Sequence, residues 1–147
     1  MAKEYKTFWN EERKGMAKSL GYSQTEVMTL ASIVQGEQCC DNEEKKIIAG
    51  LYINRLNDKM PLQSDPTVIY ALGDFTIQRV SYDDKNIDSP YNTYKITGLP
   101  PGPIGFAQAS SIDAVLNYEK SDYIYMCAKE DLKGLHYFAK TYEQHKV

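Results

Sequence analysis

The spacing of apolar residues predicts that the first half of the chain is mainly helical. A charged segment, 4–20, carries scattered apolar positions and stops at Gly21, a residue type that commonly ends helices. Ser23 and Glu26 then form a Ser-x-x-Glu capping box. Apolar residues follow the box at three- and four-residue intervals, at Val27, Leu30, Ala31 and Val34. A polar first helix and a more apolar second helix are therefore expected.

Two further helices follow from the same kind of signal. Asp41 and Glu44 repeat the capping pattern ahead of apolar positions that continue to Leu56, so a third helix is predicted, joined to the second by residues 36–40. The segment 65–73 begins with Asp65, which precedes a proline, and ends with Gly73. This pattern predicts a helix of two turns with Asp65 as its N-cap.

The second half of the chain predicts strands, loops and one helix. Residues 75–81 alternate like a strand, and the polar run to Asp88 suggests a loop with one helical turn. Three prolines and two glycines in 98–103 exclude helix and central strand, so this segment is a shaped loop. A helix is expected over about 107–117.

Near the C-terminus, segments 123–128 and 135–141 flank a turn at 129–134 and predict a hairpin. The fold class is therefore α+β, with N-terminal helices packed against a small antiparallel sheet that includes this hairpin. The chain has 147 residues, no repeat and no linker-like stretch, which favours one domain spanning 1–147.

Charge and cysteine usage exclude several classes of protein. Seventeen Lys and Arg against twenty Asp and Glu leave a net charge of −3 without a basic block, so nucleic acid is not an expected partner. No apolar run reaches the roughly 18 residues of a membrane helix, and the start lacks a signal-peptide core. The adjacent Cys39 and Cys40, with one further cysteine, form neither a disulfide framework nor a spaced zinc site. Neither a metal nor a cofactor is predicted.

Glu37 is the candidate catalytic residue that helical geometry singles out. At about 100° per residue, seven positions bring it round to the face that carries Leu30. Burial against apolar groups raises the pKa of a carboxyl, as a general acid near neutral pH requires. The alternative is that the helix frays at Gly36 and Glu37 turns to solvent.

A second carboxylate, which glycosidases usually need, is harder to find. Asp41 and Asp65 are the candidates, but both stand at expected N-cap positions, where capping is the simpler role. Two loops, 63–65 and 91–94, carry polar residues among aromatic residues and prolines. Such a mixture suits hydroxyl-rich ligands. A lone histidine in a strand, as His136 would be, is more often structural than catalytic.

Five ordered motifs resemble the catalytic core of the YceG-like endolytic transglycosylases. They read LASIV at 30–34 followed by Glu37, AGLYINRL at 49–56, MPLQSDPTVIY at 60–70, SPYNTY at 89–94 and GLPPGPI at 98–104. The resemblance runs from about residue 26 to the end of the chain. Five motifs in the correct order and spacing are far more specific than any one of them.

The resemblance implies cleavage of the β-1,4 bond between N-acetylmuramic acid and N-acetylglucosamine in nascent peptidoglycan, without water, leaving 1,6-anhydro ends. It assigns the acid and base roles to Glu37 and implies that the substrate's own hydroxyl is the nucleophile, so no partner acid is required. By residue matching, six residues would line the substrate cleft: Gln63, Asp65, Tyr91, Asn92, Tyr94 and His136.

The sequence departs from the family pattern at Gln35. The family motif usually reads Glu-x-Glu, and its second glutamate, the catalytic one, falls on Glu37 here. Gln35 would stand some 140° round the helix from Leu30, which leaves the role with Glu37.

Family members typically carry an N-terminal membrane anchor and a LysM-like domain, so we expect a fragment of a parent protein. That parent would act at the outer face of the cytoplasmic membrane beside peptidoglycan synthases, while this fragment would make no membrane contact. Two other functions stay open at this stage: a hydrolase in which Asp65 or Asp41 activates water, and a glycan-binding module without turnover.

Overall fold

The structure, a computed structural model, describes residues 9–38, 41–74, 80–128 and 135–141. Within these ranges the chain forms five α-helices and one two-stranded sheet. The helices are α1 (Glu11–Leu20), α2 (Gln24–Glu37), α3 (Asn42–Asn57), α4 (Asp65–Leu72) and α5 (Ala109–Leu116), and the strands are β1 (Tyr125–Ala128) and β2 (His136–Ala139).

The predicted boundaries of α1 and α2 are largely confirmed. Gly21 ends α1 in the left-handed conformation, with a φ of 82°. At the start of α2, Ser23 Oγ accepts from the Glu26 amide at 3.1 Å and the Glu26 carboxylate accepts from the Ser23 amide at 3.0 Å, so the capping box is complete. Residues 4–8 of the predicted first helix lie outside the described residues.

The predicted link over 36–40 is wrong in its first part, because α2 continues through Gly36 to Glu37. Fraying at Gly36 is therefore excluded. The glycine serves close packing instead, since a Cβ placed on it would lie 2.8 Å from Cβ of Pro66 in α4. Real Cβ atoms do not approach so closely, so α4 can sit against the end of α2 only because residue 36 has no side chain.

The capping box predicted for α3 is only half present. Asp41 is the N-cap, and its Oδ1 accepts from the Glu44 amide at 3.0 Å. The Glu44 carboxylate does not return to the Asp41 amide, which instead donates to Oε1 of Gln38 at 3.3 Å. Glu44 binds Gln38 and His136.

The predicted N-cap of α4 is wrong by one residue. Ser64 occupies that position and Asp65 is the first helical residue, and neither side chain caps the helix. Both side chains have other partners, because the Ser64 hydroxyl donates to Glu37 and the Asp65 carboxylate accepts from Tyr94. The C-terminal prediction is confirmed, since Gly73 caps α4 with a φ of 72°.

The later elements match the predictions where they are described. A 3-10 turn at Asp84–Asn86 confirms the helical turn in the polar run. Ser81 is not in a strand, and residues 75–79 of that predicted strand lie outside the described residues. Strands β1 and β2 pair antiparallel from Tyr125 opposite Ala139 to Ala128 opposite His136, while the turn 129–134 is outside the described residues.

The hydrophobic core lies where α5 packs across α2 and α3. Fully or nearly fully buried side chains from all three helices meet there, among them Leu30, Ile33, Ile48 and Val115. Met126 of β1 and Phe138 of β2 pack against the same cluster. Helices and a small antiparallel sheet thus share one core, which confirms the α+β class. A search of the described ranges for a helix with the length and hydropathy needed to span a bilayer finds none.

Candidate active site

Glu37 occupies the last position of α2 and accepts two hydrogen bonds on the same oxygen. The Tyr52 hydroxyl donates to its Oε1 at 2.9 Å, and the Ser64 hydroxyl donates to Oε1 at 3.1 Å. Oε2 accepts no hydrogen bond from the part of the chain that the structure describes. The side chain is half-buried. The two carboxyl oxygens therefore differ, and Oε2 is the one open to a ligand.

The surroundings of Glu37 raise its pKa. Burial is the largest cause, and it is opposed by the hydrogen bonds from Tyr52 and Ser64 and, when the His136 ring is protonated, by its charge, while the charge of Asp65 raises the pKa further. Burial also raises the pKa of Tyr52 well above its ordinary value, so its hydroxyl stays a donor. Burial thus shifts Glu37 toward its protonated form, whereas the two hydroxyl donors favour the ionised form.

A fully buried set of hydroxyl groups holds Ser64 in place. The Ser64 amide donates to Oγ1 of Thr93 at 2.8 Å, and the Ser64 carbonyl accepts from Oγ1 of Thr67 at 2.7 Å. The two threonine hydroxyls are also 2.8 Å apart. All three residues have no exposed surface. The loop at 93 therefore fixes the backbone from which Ser64 reaches Glu37.

Glu37 lines a cavity of about 420 Å³. The cavity is lined by side chains from α2, α3, the 62–65 segment, the loop after α4 and the hairpin: Glu37, Leu51, Tyr52, Arg55, Leu62, Gln63, Asp65, Lys85, Tyr94, Ile124, Tyr125, Met126 and His136. Its volume lies within the range of small-ligand sites, and its lining mixes apolar walls with convergent polar groups.

Four of the six predicted cleft residues line this cavity together with Glu37, namely Gln63, Asp65, Tyr94 and His136. Asp65 accepts a hydrogen bond from the Tyr94 hydroxyl at 2.5 Å. Gln63 has a φ of 52°, a left-handed conformation that is uncommon for a residue with a side chain. Such backbone strain concentrates at functional sites.

Tyr91 and Asn92, the other two predicted residues, are not among the cavity-lining residues. The Tyr91 ring packs edge-on against Tyr70, with ring centroids 4.9 Å apart. Asn92 is fully buried, and its amide donates to the carbonyls of Lys85 and Ile87 at 2.9 and 2.8 Å. Asn92 thus shapes the loop that carries Lys85 to the cavity, and a direct glycan contact by either residue stays a prediction.

Several residues of the site escaped the sequence reasoning. Arg55 donates to the carbonyls of Ile124 and Pro61, both at 2.7 Å, and lies 5.3 Å from the ring centroid of Tyr125. It ties the segment before α4 to the hairpin. Tyr52 and Arg55 stand three residues apart on α3, so their shared face was the signal that could have identified them.

Gln35, where the sequence departs from the family pattern, does not reach the cavity. Its Oε1 accepts from the Ser111 hydroxyl at 2.5 Å and from the Gln108 amide at 3.4 Å, at the start of α5. A carboxylate at this position would also face α5 rather than Glu37. Among the residues described, no group of three or more His, Cys, Asp or Glu side chains is placed to hold a metal ion.

Comparisons with known proteins identify the family of this chain. The model of the YceG-like family matches residues 1–147. The chain is 45% identical over 135 residues to an endolytic murein transglycosylase of Bacillus subtilis (strain 168), and 41% identical over 133 residues to one of Streptococcus pneumoniae (strain D39). These matches cover 92% and 87% of this chain.

A solved structure is similar as well. The yceG-like protein lmo1499 of Listeria monocytogenes superposes with a TM-score of 0.84 at 43% identity, covering 92% of this chain and 43% of that one. The chain spans only 36% and 24% of the lengths of the two curated relatives. The family match, in contrast, covers the whole of this chain. The chain belongs to the YceG-like family.

Proposed function

We propose that this chain is the catalytic domain of a peptidoglycan lytic transglycosylase. It cleaves the N-acetylmuramic acid–β-1,4–N-acetylglucosamine bond inside nascent glycan strands and leaves 1,6-anhydro ends. The observation that carries the proposal is the half-buried Glu37, which lines a cavity of about 420 Å³ and whose Oε1 accepts from two hydroxyl groups. The murein transglycosylase names of two relatives agree with it.

The reaction needs one carboxyl group used twice. Protonated Glu37 donates from Oε2 to the bridging oxygen as the bond from that oxygen to C1 breaks. The muramyl 6-hydroxyl then bonds to C1 and its proton passes to Oε2, which restores the acid. No water is consumed, and the nucleophile is held by the substrate, so proximity favours the closure.

The donors to Oε1 fit this cycle. After the first transfer Glu37 carries a negative charge, and hydrogen bonds to a charged group are stronger than those to a neutral one. Tyr52 and Ser64 therefore stabilise the state formed by proton donation. Burial has the opposite effect, because it raises the pKa of Glu37 and so keeps the proton on the carboxyl group to higher pH.

The proposal includes the surroundings of the reaction. Gln63, Asp65, Tyr94 and His136, which share the cavity with Glu37, would bind sugar rings beside the scissile bond. The parent protein would act on the outer side of the cytoplasmic membrane, where nascent strands are made by glycan-polymerising enzymes. Uncrosslinked glycan strands are the expected substrate.

Digestion of uncrosslinked strands with mass analysis of the new ends tests the proposal. We expect anhydro ends from the wild-type chain and a loss of cleavage of about 10²- to 10⁴-fold in Glu37→Gln, with glycan binding retained. Gln35→Glu is a matched control on a different face of α2, directed toward α5, and it should leave cleavage in place. Binding without cleavage by the wild-type chain would favour a glycan-binding module instead.

Hydrolysis is the second candidate, and one observation favours it. Asp65 lines the cavity with Glu37 and lies close enough to raise its pKa, so a second carboxylate is present. Asp41 is not among the lining residues and caps α3. A hydrolase would give ends heavier by one water than anhydro ends, so the same mass spectra separate the two reactions.

A further inference from the structure

Glu44 is a buried carboxylate whose place the proposed reaction does not explain. Its side chain and that of His136 are each only 8% exposed. Oε1 lies 2.9 Å from Nε2 of Gln38 and 2.5 Å from Nδ1 of His136, and Oε2 accepts from the His136 amide at 2.9 Å. One carboxylate thus joins the C-terminus of α2, the first turn of α3 and the start of β2.

The neighbours of Glu44 determine which ring nitrogen carries the proton. The Gln38 amide group and the His136 backbone amide are both donors, so both oxygens of Glu44 act as acceptors. The hydrogen between Glu44 and His136 must then sit on Nδ1. In a neutral ring this leaves Nε2 with a lone pair, and no described residue donates to it.

The same ring forms part of the cavity wall with Glu37. With Nδ1 directed to Glu44, Nε2 is the ring nitrogen left to meet a ligand. We propose that Glu44 is a positioning residue that, through Nδ1 of His136, holds Nε2 as a hydrogen-bond acceptor for a glycan hydroxyl beside Glu37. The identity of the ligand rests on the proposed function, whereas the tautomer does not.

Glu44→Gln is the informative substitution because it keeps the size of the side chain. A glutamine oxygen can still accept from the His136 amide, but its NH₂ group would replace Oε1 and face both Nδ1 of His136 and the Gln38 amide as a donor. The ring proton then moves to Nε2, and the acceptor in the cavity becomes a donor. An Asp-to-Asn change beside a catalytic histidine acts in this way in serine proteases. Glu43→Gln is the matched control, since Glu43 is the adjacent carboxylate, is 86% exposed and pairs with Lys46 outside the cavity.

The first experiment measures the tautomer directly by ¹⁵N NMR of the histidine rings. The sequence has only two histidines, and His145→Gln identifies which signals belong to His136. We expect the neutral His136 ring to be protonated on Nδ1 in the wild-type chain and in Glu43→Gln, and on Nε2 in Glu44→Gln. Protonation on Nε2 in the wild type would overturn the proposal, whether or not any variant folds.

The second experiment measures cleavage of glycan strands by Glu44→Gln, His136→Gln and the double variant. Each single change should lower kcat/KM by about tenfold, as expected for one lost hydrogen bond. If Glu44 acts through His136, the double variant is no worse than His136→Gln alone. Additive losses would overturn the proposal. A wild-type chain that cleaves nothing would refute the proposed function and leave the tautomer result standing.

Discussion

Replacing Gly36 with alanine would test how closely α4 must approach the C-terminal end of α2, which carries Glu37. The new Cβ would lie 2.8 Å from Cβ and 3.1 Å from Cγ of Pro66, whose ring cannot rotate away. Overpacking of this kind costs about 1–3 kcal/mol. Inside a helix, alanine is more stabilising than glycine by about 1 kcal/mol, so the net loss of stability is smaller than the cost of the overpacking alone.

Gly15→Ala separates the two effects, because Gly15 is also helical and has no atom within 4 Å of the added Cβ. We expect Gly15→Ala to stabilise the chain by about 0.5–1 kcal/mol. Gly36→Ala should be less stable than Gly15→Ala by about 1–3 kcal/mol, which is a difference in Tm of very roughly 3–10 °C for a chain of this size.

The same substitution should impair the site. Pro66 stands two residues after Ser64, whose hydroxyl lies 3.1 Å from Oε1 of Glu37. A shift of a few tenths of an ångström takes this contact beyond good hydrogen-bond length, so kcat should fall by about tenfold. Thermal unfolding and glycan-strand digestion measure the two effects. Equal stability changes in the two alanine variants, with unchanged kcat, would refute the close-packing explanation.

Three further predictions follow from the surroundings of Glu37. Tyr52→Phe removes a hydrogen bond that lowers the pKa of Glu37, so Glu37 stays protonated to higher pH and the alkaline limb of the kcat–pH profile moves to higher pH. Tyr82→Phe, at an 81% exposed position, is the control and should not move that limb. A shift of the limb to lower pH in Tyr52→Phe would contradict the role of Glu37 as the acid. Glu37→Gln has no ionisable group at position 37. Burial raises the pKa of Glu37 above its ordinary 4.5, so its ionisation lowers the free energy of unfolding of the wild type as the pH rises from 4.5 through the raised pKa, and the variant lacks this loss. The variant should therefore gain relative stability with rising pH in urea titrations, and the opposite slope would exclude burial as the main cause. Thr93→Val leaves the buried Ser64 amide without its acceptor and should cost about 1–3 kcal/mol of stability as well as cleavage, while retention of both would show that Thr93 does not position Ser64.

Features set by residues close together in the chain were predicted correctly in most cases. The Ser23–Glu26 capping box, the glycine at the end of α1 and the antiparallel hairpin depend on residues close in the chain, and all are present. The orientation of Glu37 toward the interior also followed from helical periodicity, because seven residues return to nearly the same face.

Tertiary partners could not be predicted in this way. Glu44 satisfied the capping pattern, but a histidine 92 positions away offered its carboxylate two donors, and the reciprocal half of the box was lost. Ser64 became the N-cap of α4 without capping through its side chain, because its hydroxyl reaches Glu37, 27 positions earlier. Chain-distant groups decide these contacts, and spacing within one helix carries no information about them.

The two unlike oxygens of Glu37 have a consequence for how a polymer could lie in the groove. A proton on the oxygen between the Tyr52 and Ser64 hydroxyls would face two donor hydrogens, so the carboxyl proton is favoured on the other oxygen, Oε2. Glycan strands have a direction, with chemically different ends. If Glu37 is the acid of the proposed reaction and Oε2 always meets the bridging oxygen from the same side, a strand binds beside Glu37 in only one polarity, and the new anhydro end always lies on the same side of this residue.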